Sequence, residues 1–447
     1  MISDNKSQKI LLPVEIKSRE LSGKLFLAVV LAGRGYDVYL GNKIQHTALD
    51  GIDPDIYFET GSRDHEDRLR RLSERGIKTV ILETEGSAFP GSEEFAKAQD
   101  PETLTHADCY CAWGGVAKEV VQRESPDTRV EITGNPRFDL LQEPHRTFYD
   151  QSATQLNEQY GEFILFNANF SRTNGQKTVK EMASNFDEDH PVWKRAMKSL
   201  KTQTKIFAEF VRLIAETAEN LPEKNIIVRP HPGENPSFYE NSLYAYDNVH
   251  VEDRFEVRPW IVAAETVVHN SCTTGVTSAL LNTPVIAYVP DGLEASSLPN
   301  EVSERCETAS EVCDSIQGYL SSEVSFALGS TPKSKIRRHI DNIDYLSAER
   351  IADIVDSLTA TEADRTPLPV DNKLRLRRAL VRTVGSKRFE DLYVKRLRGE
   401  DRHKFPYTST AEVESMVNRF VEDIKPAGLQ VERLPYMVNG FRLHCSR

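Results

Sequence analysis

Residues Thr266–Tyr288 read TVVHNSCTTGVTSALLNTPVIAY. Thr266–His269 is a short apolar run suited to a strand, Gly275–Asn282 suits a helix, and Pro284–Tyr288 is apolar and β-branched again. A strand, a polar loop, a helix and a second strand in so few residues is the unit from which parallel α/β sheets are built. A strand covered on both faces by helices carries continuous apolar residues instead of alternating ones.

The same reading extends outward in both directions. Upstream in the same block lie Phe163–Asn167, Asn225–Arg229 and Val249–Glu252 as strands, with helices over Pro191–Asn220 and Val257–Ala264. An earlier block opens with KILLPVEI at Lys9–Ile16, then a helix over Arg19–Arg34 and a strand at Tyr36–Leu40. Strands at Asp55–Phe58, Lys78–Leu82, Asp108–Trp113 and Arg129–Thr133 alternate there with helices over Asp64–Arg75 and Gly115–Arg123. The stretch Glu143–Gly161 is polar and lacks periodicity, so it reads as the linker. Three parts are expected: residues 1–150 as a Rossmann-like domain, 151–346 as a second Rossmann-like domain, and 347–447 as a helical C-terminal extension. Ser347–Leu358 in that extension is an amphipathic helix with a serine at its N-cap. The fold class is α/β of the GT-B plan, two doubly wound domains facing a cleft.

The 447 residues are too many for one ordinary core. Hydrophobic residues at 39% and charged residues at 28% fit a globular chain. No apolar run reaches the roughly 18 to 20 residues of a membrane span, and MISDNKSQK shows no signal-peptide pattern. The expected location is the cytoplasm, peripherally at the inner face of the cell membrane. A net charge of −12 argues against nucleic acid as the main partner. Lys373–Arg398 departs from that balance, with ten Lys or Arg against Glu390 and Asp391, and could face anionic lipid. A helix solvated and paired with the protein's own acids would read the same. The six cysteines form no CxxC pair, and the eleven histidines show no HExxH grouping, so no metal and no cofactor are expected.

Ligands of open parallel sheets sit beyond the carboxyl ends of the strands, so the loops there carry the functional candidates. After Asn225–Arg229 comes RPHPGE, Arg229–Glu234. Arginine forks a phosphate, an imidazole donates to it, and two prolines with Gly233 stiffen the turn. A proline-rich turn with a surface histidine would look alike. After Thr266–His269 comes Asn270, Ser271, Cys272, Thr273, Thr274 and Gly275. Hydroxyls and free backbone N–H groups at a helix start can hold an anion, or Ser271 or Thr273 can simply cap the helix. After Lys78–Leu82 come Glu83, Thr84, Glu85 and Gly86, where one carboxylate could be a general base or the turn could be a solvated acidic one. Asn135 and Arg137 in GNPRFD, and Asn169 in NANFSRTNG, could line the cleft or be turn residues.

LPVEIKSRE (12–20), LETEG (82–86), AWGG (112–115), TGNPRFDLL (133–141), RPHPGE (229–234), the Thr273-containing stretch from His269 to Tyr288, and SAERIADIV (347–355) occur together and in order. This set resembles the surface carbohydrate biosynthesis protein family over roughly residues 9 to 358. The loops also resemble those of bacterial sialyltransferases, capsule Kdo transferases and CDP-glycerol glycerophosphotransferases. Glu85-Gly86 is similar to the sialyltransferase acidic-acidic-glycine motif, His231-Pro232 to its HP motif, and Ser271–Thr274 to its serine motif. Thr84 stands where the first acid of that motif would align. The resemblance implies Glu85 as the acceptor-activating base and a donor phosphate held by His231 and the hydroxyls; Glu83 is the second candidate, because side chains two apart on an extended segment share a face and both could reach the cleft. It implies transfer of a sugar from a nucleotide-activated donor to a surface glycan or lipid-linked acceptor, with residues 1–150 on the acceptor side and 151–346 binding the nucleotide sugar; a metal is not required where Arg229, His231 and a helix N-terminus neutralise the leaving phosphate. A sugar-nucleotide 2-epimerase and a non-catalytic nucleotide-sugar-binding protein are the alternatives on the same fold.

Overall fold

The computed structural model describes residues 7–42, 51–86, 92–175, 189, 191–254, 256–290, 298–322, 324–342, 344–359, 365–368, 372–385, 388–389, 404–437 and 439–446. The chain divides into two compact units, Met1–Phe148 with Arg337–Arg447, and Tyr149–Ile336. Each is built on its own sheet, and the fold is α/β with two Rossmann-like halves of the GT-B class.

The first unit holds β1 (Lys9–Val14), β2 (Asp37–Asn42), β3 (Ile56–Glu59), β4 (Lys78–Leu82), β5 (Cys109–Ala112) and β6 (Val130–Ile132). These run parallel in the order β2-β1-β3-β4-β5-β6. Helix α1 (Lys17–Gly33) is buried along its whole length from Glu20 to Ala32, which is why its sequence, ELSGKLFLAVVLA, is apolar around nearly its full circumference. Gly35, at φ 92, ends the turn after it in the left-handed region that glycine adopts without strain.

The second unit holds β7 (Phe163–Asn167), β8 (Asn225–Arg229), β9 (Val249–Val251), β10 (Thr266–His269), β11 (Val285–Tyr288) and β12 (Glu304–Cys306). They pair in parallel in the order β12-β11-β10-β7-β8-β9. Chain direction reverses its march across the sheet between β7 and β10, and such a switch point is where α/β sheets bind ligands. The core beneath it joins Ile164, Phe166, Ile226, Val228 and Val268 of the sheet to Phe207, Phe210 and Ile214 of the helix Pro191–Asn220.

Three expectations about organisation change. The stretch expected as a linker contains α2 (Asp150–Tyr160), which buries Ala153, Leu156 and Tyr160 on one face and belongs to the second unit. The second unit ends at Ile336, not at residue 346. The remainder of the chain is neither separate nor only helical. Strands β13 (Leu429–Arg433) and β14 (Gly440–Cys445) form a hairpin, and β14 pairs antiparallel with β2, extending the first sheet to eight strands.

The helix α3 (Ser347–Thr359) packs on α1 and on the turn Pro136–Asp139. Ser347 is its first residue and does not cap it. The cap comes from far away in sequence. The buried carboxylate of Asp139 accepts from the N–H groups of Ser347 and Ala348 at 2.8 Å each, and from Asn342 Nδ2 at 2.9 Å. Burial pushes the Asp139 carboxyl up to about 7, against the pull of those three donors. Asp139→Ala removes a cap and strands buried N–H groups, so it should cost roughly 2–4 kcal/mol by urea denaturation. A carboxyl whose pKa is raised on folding contributes stability that is complete below its unfolded value and is lost as pH rises through the folded value. Between about pH 4 and pH 7 the wild type should therefore lose stability relative to Asp139→Asn; parallel profiles would show that Asp139 stays ionised throughout.

Candidate functional site

In the first unit, the chain turns sharply after β4 and separates the two acids. Glu83 is buried. Its Oε1 accepts from the backbone N–H of Thr84 at 2.9 Å and of Glu85 at 3.1 Å, and Tyr110 donates to Oε2 at 3.4 Å. Burial raises its pKa despite these donors. The main-chain carbonyl of Glu83 accepts from Trp113 Nε1 at 2.7 Å and from Asn135 Nδ2 at 3.0 Å. Glu83 is thus the knot of the turn. Glu85 is the opposite case: its side chain is 51% exposed and forms an ion pair with Arg19 Nη1 at 2.7 Å. Gly86 packs against the indole of Trp113, where a Cβ would come within 3.0 Å of Cδ2.

Arg19 also reaches Glu20, at 3.1 Å, and Glu20 pairs with Lys24 at 2.8 Å one turn along α1. Burial alone would raise the Glu20 carboxyl, but Lys24 and Arg19 outweigh it and hold it at about 2. The Arg137 guanidinium lies 4.3 Å from the Trp113 ring centroid and donates to the Thr84 carbonyl at 3.3 Å. Arg19, Lys24, Thr84, Asn135 and Arg137 line a pocket at the carboxyl ends of β1, β4 and β6. The sequence reading misses Arg19, Glu20 and Lys24. A Glu and a Lys four apart inside an otherwise apolar helix was the available signal, since charges are buried only when paired.

In the second unit, the loops after β7, β8 and β10 are tied to one another. Glu234 is buried; its Oε1 accepts from the N–H of Phe170 at 2.8 Å and of His231 at 3.0 Å, and Tyr239 donates to Oε2 at 2.6 Å. Asn169 Nδ2 donates to the Ser271 carbonyl at 3.4 Å. The His231 side chain lies on an exposed residue, with Nδ1 accepting from Gly233 N–H at 3.1 Å. That bond leaves Nε2 as the protonated nitrogen of the neutral ring.

Arg229 does not present a fork. It is buried, its Nη1 donates to the carbonyls of Arg254 at 2.8 Å and Glu252 at 3.5 Å, and the Trp260 ring centroid lies 5.0 Å away. Burial lowers its pKa to about 10. Asn270 spends its Nδ2 on the Tyr288 carbonyl at 2.8 Å. Ser271 sits at φ 45, in the left-handed region that costs a side-chain-bearing residue roughly 1–2 kcal/mol. Asn300 holds it there: Ser271 N–H donates to Asn300 Oδ1 at 3.1 Å and Asn300 Nδ2 donates to Ser271 Oγ at 2.9 Å. Thr273 occupies the cap position of the helix Thr274–Leu280 without a side-chain cap bond. Gly275 makes room for His269, whose Nε2 would lie 2.4 Å from a Cβ there. His269 is buried, with Nδ1 accepting from Cys272 N–H at 3.3 Å and Nε2 2.9 Å from Ser303 Oγ. Burial alone drops its pKa to about 3, so it is neutral and donates to Ser303. The candidates Asn169, His231, Glu234, Asn270 and Ser271 are thus brought to one end of one sheet, and Asn300 of the helix Leu298–Glu301 joins them with Ser303, two residues past its end, from a segment that sequence patterns do not connect to the site. Among the described residues no group of His, Cys, Asp or Glu side chains could hold a metal ion.

No family model and no curated protein matches this chain in sequence. Solved structures do resemble it. A UDP-N-acetylglucosamine 2-epimerase shares 12% identity at a TM-score of 0.50, over 81% of this chain and 99% of that one. The Methanocaldococcus jannaschii UDP-GlcNAc 2-epimerase in complex with UDP-GlcNAc and UDP shares 14% identity at 0.49, over 78% and 100%. The wall teichoic acid polymerase TagF shares 9% at 0.49, over 79% and 90%. At such identities the likeness is one of fold.

Glu234 gives a sharp test of how the loops are held. Glu234→Ala leaves two backbone N–H groups and a tyrosine hydroxyl without their acceptor, and should cost roughly 3–5 kcal/mol by denaturant unfolding. Glu234→Gln can turn its carbonyl to the two N–H groups and its amide to the Tyr239 oxygen, and should cost under about 1.5 kcal/mol.

Proposed function

We propose that this chain acts on a nucleotide-activated sugar and transfers the sugar to a surface glycan or lipid-linked acceptor. One observation carries the reading. At the switch point of the second sheet, polar loops after β7, β8 and β10 are cross-tied, and Ser271 is held there in a strained conformation by Asn300. Strain of this kind persists where the surroundings impose it, and it gathers at ligand sites. The phosphate partners in this reading are the exposed imidazole of His231, the hydroxyls of Ser271, Thr273 and Thr274, and the backbone N–H groups of Thr273 and Thr274, since those of Ser271 and Cys272 are taken by Asn300 and His269. Arg229 supports the loop from beneath through the Arg254 and Glu252 carbonyls.

In the first unit Glu85 is the base of this reading, because Glu83 has both oxygens engaged inside the turn. Arg19 orients the Glu85 carboxylate through their ion pair. The base accepts the proton of the acceptor hydroxyl as that oxygen attacks the anomeric carbon and the nucleotide phosphate departs. The donors around the phosphate stabilise the charge that collects on it.

Thermal stabilisation by CMP, CDP, UDP and GDP should single out the nucleotide. His231→Ala should then weaken its binding by roughly 1.5–3 kcal/mol, while Arg229→Ala should lower stability more than affinity. Unchanged affinity in His231→Ala would move the phosphate to the Ser271–Thr274 loop alone. Glu85→Gln should cut turnover at least about a hundredfold with donor affinity nearly unchanged, and Glu83→Gln should act mainly on stability. Incubation with UDP-GlcNAc in deuterium oxide, without acceptor, separates the isomerase reading: label entering the sugar at C2 would replace transfer by epimerisation.

A further inference from the structure

The helix α4 (Asn372–Val384), in the first unit, reads NKLRLRRALVRTV, with five cationic residues and no acid in a chain of net charge −12. Its exposed surface is ordered. Leu376, Ala379, Leu380 and Thr383 are all exposed and fall at i, i+3, i+4 and i+7, one continuous stripe along the helix. Leu376 is 70% exposed and Leu380 44%, values far above those of core leucines. Exposed Arg375 and Arg382, seven residues apart, run along one flank of that stripe, and Arg377 stands on the other. The opposite side of the helix is fixed to its own unit: Arg378 Nη2 donates to the Gly51 carbonyl at 3.0 Å, and its guanidinium lies 5.0 Å from the Tyr436 ring centroid.

We infer that α4 is a docking surface for a bilayer of anionic lipid, lying in the interface with its leucine stripe toward the acyl chains and its arginines among the headgroups. The charge selects the occupant. A water-facing helix would not need two exposed leucines in register, and a soluble apolar partner would not need arginines along the edge of the stripe. Together they match the geometry of a helix lying in the membrane plane. Basic residues 387, 395, 396 and 398, which continue the positive run in sequence, lie outside the described residues, apart from exposed Arg388. No described helix is long and apolar enough to cross a membrane.

Truncation before residue 373 is a poor test, because it would also remove β14 from the edge of β2. Point substitutions on the exposed stripe leave the fold alone. The full-length protein should co-sediment with vesicles of equal parts phosphatidylglycerol and phosphatidylcholine, more weakly as salt rises, and not with phosphatidylcholine alone. Arg375→Glu with Arg382→Glu should reduce the partition coefficient at least about tenfold, since each basic residue near an anionic surface is worth ~1 kcal/mol. Leu376→Asp with Leu380→Asp should abolish sedimentation, with far-UV circular dichroism and melting temperature preserved in both variants. Equal binding by either folded double variant, equal binding to phosphatidylcholine alone, or a wild-type dimer that the leucine variant dissociates would overturn the inference, the last by assigning the stripe to a second copy of the chain.

Discussion

Backbone N–H groups that leave a parallel strand at its carboxyl end have no ladder partner, and in this chain buried carboxylates take them up. Glu20 accepts from Glu15 and Ile16 after β1, Glu59 from Thr60 after β3, and Glu83 from Thr84 and Glu85 after β4. Asp139, beyond β6, accepts from Ser347 and Ala348, and Glu234 joins Phe170 beyond β7 to His231 beyond β8. A buried N–H without an acceptor costs about 1–3 kcal/mol, so each carboxylate fixes the path of a loop that has few apolar contacts to hold it. The candidate site in either unit rests on these knots. Arg19 aims Glu85 from a residue next to Glu20, and His231 projects from a loop that Glu234 closes.

Much of this was legible in sequence, and the misses have physical causes. Strands β4, β7, β8 and β10 stand where their apolar runs stand, because a strand buried on both faces is a continuous apolar run whose flanking polar residues mark its ends. The hairpin of β13 and β14 is invisible to the same rule. LQVER alternates along an edge strand that is half exposed, and β14 finds its partner in β2, near the other end of the chain. Helix α2 hides in polar composition because it buries only three residues.

The two acids of LETEG show where local rules stop. Side chains two apart in an extended segment share a face, which predicts that Glu83 and Glu85 reach the same place. The strand ends at Leu82, the chain turns on the Glu83 carboxylate itself, and the pair separates into a buried residue and an exposed one. Arg229 is similar: its position at the end of β8 was readable, but the carbonyls of Glu252 and Arg254 that claim its guanidinium belong to another strand's loop.

The two ends of the strands in the first sheet use the same chemistry at different cost. At the amino ends, Asp55 accepts from Lys9 N–H and Asp108 from Thr79 N–H, and both carboxylates are partly exposed and paired with surface cations, Arg365 at 2.6 Å and Lys78 at 3.0 Å. Such pairs are cheap, since water shares the solvation of the charge. At the carboxyl ends the carboxylates are buried: Glu20 and Glu59 meet Lys24 and Arg68 at 2.8 and 2.7 Å, while Glu83 and Asp139 have N–H donors and hydroxyl or amide groups in place of a cation within bonding distance, and burial raises the pKa values of these last two. A fold that served stability alone would gain by exposing or replacing them. Keeping them, together with the left-handed Ser271, concentrates costly polar structure at one end of each sheet, the end at which parallel α/β sheets receive their ligands.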